Sequence, residues 1–153
     1  MRVSMMLVGA MLAVMVSAQP ARADCEVQSS GIVFPAYDVY ATQPLDAVGT
    51  LQFKCSPEQK NATPTVRLTL GAAPDGTFVR RMKNDGDTLR YNLFVDPYHT
   101  AVWGDGTEGT MAYIAACCPV GKFSDVKVYA RIPAGQDVSA GTYVDSMLVT
   151  IEF

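Results

Sequence analysis

Val126-Lys127-Val128-Tyr129-Ala130-Arg131-Ile132-Pro133-Ala134-Gly135 is the stretch on which the fold turns. Val126, Val128, Ala130 and Ile132 alternate with Lys127, Tyr129 and Arg131. Successive side chains of a strand point to opposite faces, so this period of two puts one apolar face inward. Pro133 and Gly135 then end the run, because proline has no amide to give to a ladder.

The same period recurs on either side. Leu51, Phe53 and Cys55 alternate with Gln52 and Lys54, and Val66, Leu68 and Leu70 with Arg67 and Thr69. Leu89, Tyr91 and Leu93 alternate with Arg90 and Asn92. A last strand is predicted with Tyr143, Met147, Val149, Ile151 and Phe153 on one face. Shorter strands are predicted over Glu26 to Phe34 and Thr110 to Ala115. Turn chemistry separates them: Pro74-Asp75-Gly76, Asn84-Asp85-Gly86-Asp87, Gly104-Asp105-Gly106 and Ala140-Gly141. No stretch of a dozen residues keeps a helical period. Many short strands with regular turns predict an all-β sandwich or barrel.

The first residues read as a secretory signal. Arg2 is followed by an apolar run from Met5 to Val16, and Ala21-Arg22-Ala23 is a small-x-small cleavage site. The expected organisation is a signal peptide over 1–23 and one domain over 24–153. The apolar run is shorter than the roughly 20 residues a membrane span needs, so an exported chain that is not an integral membrane protein is expected. Removing Arg2 and Arg22 leaves 10 basic against 15 acidic side chains, a formal charge of −5. The one basic cluster, Arg80-Arg81 with Lys83, reads as a solvated loop. Nucleic acid needs a concentrated positive surface and is not expected as a partner.

Cys25, Cys55, Cys117 and Cys118 are the four cysteines. In an exported chain they point to disulfides rather than metal, and spacing alone leaves three pairings open. The lone His99 and the cysteine spacing do not make a zinc site. No G-x-S-x-G occurs, and His99 has no evident nucleophile beside it. The aspartate-rich turns lack the spacing of a calcium loop. An enzyme, a metal and a cofactor are therefore not expected. Trp103 is left with two readings, a plug packing its loop on the sandwich or an exposed anchor.

Several segments in order carry a resemblance. They include Cys25, Ile32-Val33-Phe34, Gly49-Thr50-Leu51, Cys55 and Leu89-Arg90-Tyr91-Asn92-Leu93. Trp103-Gly104-Asp105-Gly106 and the run from Ile132 to Asp145 complete the series. The chain from 25 to 153 resembles the spore coat protein U domain family, which includes subunits of Csu-type archaic chaperone–usher pili. The resemblance implies an immunoglobulin-like sandwich that is incomplete, its final strand supplied in trans. It implies a periplasmic chaperone, an outer-membrane usher and neighbouring pilus or coat subunits as partners. It also implies passage through the periplasm to the cell surface.

On this reading Val149, Ile151 and Phe153 line or flank a strand-acceptor groove; by pattern alone they suit a closed core equally well. The resemblance pairs Cys25 with Cys55, a loop of about 30 residues whose closure contributes roughly 3–4 kcal/mol in the chain-entropy account. Cys117 and Cys118 fall outside the family pattern, and their pairing stays open. Only Asp24 precedes Cys25 after the expected cleavage. The chain therefore reads as a strand acceptor, a secreted structural subunit or tip-like adhesin component of a chaperone–usher surface fibre, with no donor segment for an ordinary shaft role. The competing reading is a self-complete secreted coat or binding module.

Overall fold

The computed structural model describes residues 25–69 and 79–152. The leader, Leu70, the Pro74-Asp75-Gly76 turn and Phe153 lie outside the described residues.

Among the described residues the regular structure is eight strands and one 3₁₀ turn. They are β1 (Cys25–Ser29), β2 (Leu45–Cys55), the turn Pro57–Gln59, β3 (Thr65–Leu68), β4 (Arg80–Lys83), β5 (Thr88–Phe94), β6 (Tyr113–Ile114), β7 (Ser124–Ile132) and β8 (Val149–Glu152). One sheet has the order β1-β2-β7-β5-β4 and the other β6-β3-β8. All of these strand pairs are antiparallel. The two sheets enclose the core of an all-β, immunoglobulin-like sandwich.

The alternation sets the inward faces. Leu51, Phe53 and Cys55 of β2, Leu89, Tyr91 and Leu93 of β5, and Val126, Val128, Ala130 and Ile132 of β7 are all buried, as are Val66 and Leu68 of β3. The central pair is β2 with β7, in register from Leu45 opposite Ile132 to Phe53 opposite Ser124. Trp103 plugs one end. It is fully buried, and its indole Nε1–H donates to the Val66 carbonyl at 3.0 Å.

Three sequence expectations are corrected. Arg80, Arg81 and Lys83 are not in a solvated loop but form β4, and Arg80 is fully buried. Its guanidinium donates to the Thr69 carbonyl at 2.9 Å and to the Trp103 carbonyl at 2.6 Å, which satisfies a buried cation with backbone oxygens. The first strand stops at Ser29 rather than Phe34, because Gly31 takes φ +68 and turns the chain off the sheet. The last strand begins only at Val149. The apolar alternation from Tyr143 to Met147 is real, but that segment holds a single bridge, Val144 to Lys83.

Candidate functional site: an open seam between the sheets

The seam is built from two walls, the first bonded to the five-stranded sheet and the second tied to both sheets. After β1, the Ser30 N–H donates to the Thr50 carbonyl of β2 at 3.2 Å. The chain then crosses β2 at Gly49. A Cβ there would lie 2.5 Å from Ile32 Cγ1 and 2.9 Å from the Gly31 carbonyl, so only glycine admits the crossing. The opposite wall is held at both ends. Lys83 and Val144 exchange backbone hydrogen bonds of 2.8 and 2.9 Å, and the Thr69 N–H donates to the Leu148 carbonyl at 3.1 Å.

Between these walls lies a cavity of about 410 Å³, bounded by Ile32 and Phe34 on one side and Tyr143, Met147 and Val149 on the other. Its floor is the sandwich interior: Leu51, Leu68, Leu93 and Val128, contributed by strands of both sheets. A second cavity of about 810 Å³ adjoins it and shares Ile32, Phe34, Met82, Tyr143 and Val144. The two form one apolar trough. β8 sits at the edge of its sheet, with β3 on one side. Among the described residues no strand pairs with its other side.

Two polar groups line the floor. The Tyr91 hydroxyl donates to Asp145 Oδ2 at 2.8 Å, and the Phe34 ring meets Tyr91 edge-on at 6.2 Å. Burial first, then the Asp145 carboxylate, pushes the Tyr91 hydroxyl far above its ordinary range. Tyr91 therefore stays a neutral donor to the Asp145 carboxylate.

Of the residues expected to line a groove, Val149 lies on the trough wall. Ile151 packs against the core and is paired with Val66 across the β3–β8 ladder. Phe153 lies outside the described residues. The pattern of the last strand did not single out Ile32, Phe34 and Met82; the first two lay in the strand predicted over Glu26 to Phe34 and in the resemblance, with nothing local to set them beside β8.

The cysteines sit at the far end of β2. Cys25 is the cross-strand partner of Cys55, with the sulfurs 2.6 Å apart. On the other side of Cys55, its N–H donates to the Pro119 carbonyl at 2.8 Å, and Cys55 forms a parallel bridge with Val120. That bond brings Cys118 inward, so the sulfurs of Cys25, Cys55 and Cys118 all lie within 4.8 Å of one another. Cys117 faces solvent. Burial pushes the thiol of Cys55 up to about 11 and that of Cys118 up to about 12.

A two-sheet antiparallel sandwich with an apolar seam beside β8 defines the class: an all-β, immunoglobulin-like domain. Residues 10–150 match the Spore Coat Protein U domain, and the chain belongs to that family. Protein U of Myxococcus xanthus is 35% identical over 77 residues, which is 49% of this chain and 41% of that protein. The same fold occurs in a solved complex from Acinetobacter baumannii, the CsuC–CsuE chaperone–tip adhesion subunit pre-assembly complex of archaic chaperone–usher Csu pili. The TM-score is 0.62 at 22% identity, over 86% of this chain and 40% of the matched one. This chain thus spans less than half the length of each. The family is one of surface pilus or coat components, which implies export. No helix among the described residues is long and apolar enough to cross a membrane.

Proposed function

We propose that this protein is an exported, non-enzymatic structural subunit of a chaperone–usher surface fibre that accepts a strand from another chain. The observation that carries the reading is the trough, an apolar cavity floored by the buried Leu51, Leu68, Leu93 and Val128 and walled by half-buried Ile32, Phe34, Tyr143, Met147 and Val149, beside the edge strand β8. A strand laid there gains backbone hydrogen bonds from β8, and its alternate side chains fill the apolar floor. Leaving such an edge and core open invites aggregation, so a periplasmic chaperone would fill the trough first, and a neighbouring subunit would replace it at the usher. The likeness to a chaperone–tip adhesion subunit complex supports this order and a tip-like position. Val149 and Ile151, with Phe153 beyond them, are the acceptor-side residues. Residues 1–23 are a signal peptide, so the exported form begins at Asp24, which N-terminal sequencing of that form reads directly. A disulfide between Cys25 and Cys55 staples β1 to β2.

The test is periplasmic co-expression of the tagged chain with a family chaperone, followed by addition of a donor-strand peptide of about ten residues, the upper end of common strand lengths. A stable complex that gives up the chaperone to the peptide is expected. A soluble, heat-stable monomer that ignores both overturns the fibre reading. The match to a spore coat domain supports a second reading, a self-complete coat protein of the same fold, and that result would select it.

A further inference from the structure

We propose that Cys55 is the pivot of a disulfide exchange in which Cys25 and Cys118 compete for one sulfur. Three sulfurs gathered within 4.8 Å can form only one bond among themselves, so one is left in contact with it. Cys55 is reached from both sides by regular backbone pairing, by β1 on one side and by the segment through Pro119 and Val120 on the other. Neither approach depends on a long flexible side chain. The inference rests on this sulfur geometry and holds for a pilus subunit and a coat protein alike.

The exchange is a thiol–disulfide substitution. An external disulfide oxidant first joins Cys25 to Cys55, taking two electrons and two protons from the pair of thiols. The Cys118 thiolate then attacks the Cys55 sulfur. The Cys55–Cys118 bond forms, the Cys25–Cys55 bond breaks, and the electron pair leaves on Cys25, which takes up the proton that Cys118 gave up. No net oxidation accompanies this second step. Burial holds Cys118 as the thiol, which keeps the exchange slow.

The two isomers differ mechanically. With Cys25–Cys55, β1 is covalently tied to β2. With Cys55–Cys118, β2 is tied instead to the segment before β7, and β1 keeps only its ladder with β2. Four of the five residues of β1 are exposed, so little apolar burial holds it once the staple moves. β1 leads through Ser30 and Gly31 into the Ile32–Phe34 wall of the trough. The isomer therefore sets how firmly that wall is anchored.

The test uses the mature full chain, oxidised in a glutathione buffer, quenched with acid and alkylated. Trypsin cuts after Lys54, Lys60, Arg90 and Lys122, which puts Cys25, Cys55 and the Cys117-Cys118 pair on three different peptides. Non-reducing mass spectrometry is expected to find the Cys55 peptide linked to the Cys25 peptide in one population and to the 91–122 peptide in another. In Cys117→Ser, the second linkage must persist, which assigns it to Cys118. In Cys25→Ser, Cys55 is expected to move wholly to Cys118, with faster amide exchange over residues 26–29. The proposal is overturned if wild type links Cys55 only to Cys25, or if Cys117 and Cys118 are bonded to each other throughout. The wild-type measurement stands even where a variant fails to fold.

Discussion

At the scale of single residues, the buried polar groups of Trp103 and Arg80 are each answered by a backbone carbonyl. Trp103 is the clearest case, since its Nε1–H is bonded to the Val66 carbonyl inside the core. Trp103→Phe keeps most of the ring but leaves that carbonyl without its donor. A loss of about 1–3 kcal/mol in denaturant unfolding is expected, the cost of an unmet buried polar group. By contrast Asp46 and Arg131, bonded at 2.7 Å on the surface, are half-exposed on the aspartate side. Asp46→Asn is expected to change stability by less than about 1 kcal/mol. The sequence left Trp103 between plug and anchor, because no local pattern records which carbonyl a tryptophan will find. Arg80 was misread for the same reason. An arginine beside another basic residue looks solvated until the chain brings the Thr69 and Trp103 carbonyls around it.

At the scale of elements, legibility follows the number of neighbours. β2, β5 and β7 lie inside their sheet with one face on the core, and their alternation is clean enough to read directly. β1 and β8 are edges, and their true bounds depend on contacts far away in sequence. Gly49 shows this best: nothing local to β2 demands a glycine, yet the Ile32 segment crosses directly over it. Gly49→Ala is expected to cost about 1–3 kcal/mol, as overpacking does. The damage falls on the trough, because the Ile32 wall must move outward; loss of protection in hydrogen exchange over residues 30–34 checks it. The other wall makes a separate prediction. Val149→Asp places a charge on the seam without disturbing a fully buried position. Donor-peptide affinity is expected to fall at least about tenfold, since a desolvated carboxylate costs more than 1.4 kcal/mol, while the far-ultraviolet circular dichroism of the free chain is unchanged.

At the scale of the whole molecule, two properties are distributed rather than local. The first is acid sensitivity. Hydrogen bonds from Lys54 hold Glu26 below its ordinary range, those from Arg131 hold Asp46, the Ser139 backbone holds Asp87, and Thr107 holds Asp105. Each folded-state pKa lies below the unfolded one. The unfolded chain therefore binds more protons in between, and stability rises with pH through that interval. The stabilisation is fully present above the ordinary carboxylate range and is lost as pH falls through the lowered folded values. Unfolding midpoints should thus be flat from pH 7 to about 5 and decline gradually below about 4, each exposed carboxylate contributing little. The second property is completeness of the core. The all-β sandwich was legible because burial on two sheets demands the period of two. The trough was only half legible: Val149 followed from the last strand, but the opening needs both walls, and the second comes from the other end of the chain. A sandwich open along β8 gains more from an occupant than a closed one does, since the occupant fills the cavity and covers the half-buried walls. Titrating the free chain with a donor-strand peptide is expected to raise the melting temperature continuously with peptide concentration. At about a hundred times the dissociation constant the gain is about 2.7 kcal/mol, or roughly 10 °C for a domain of this size. A melting temperature that does not move at saturating peptide, measured beside a scrambled sequence of equal composition, would mean the seam closes on itself in solution.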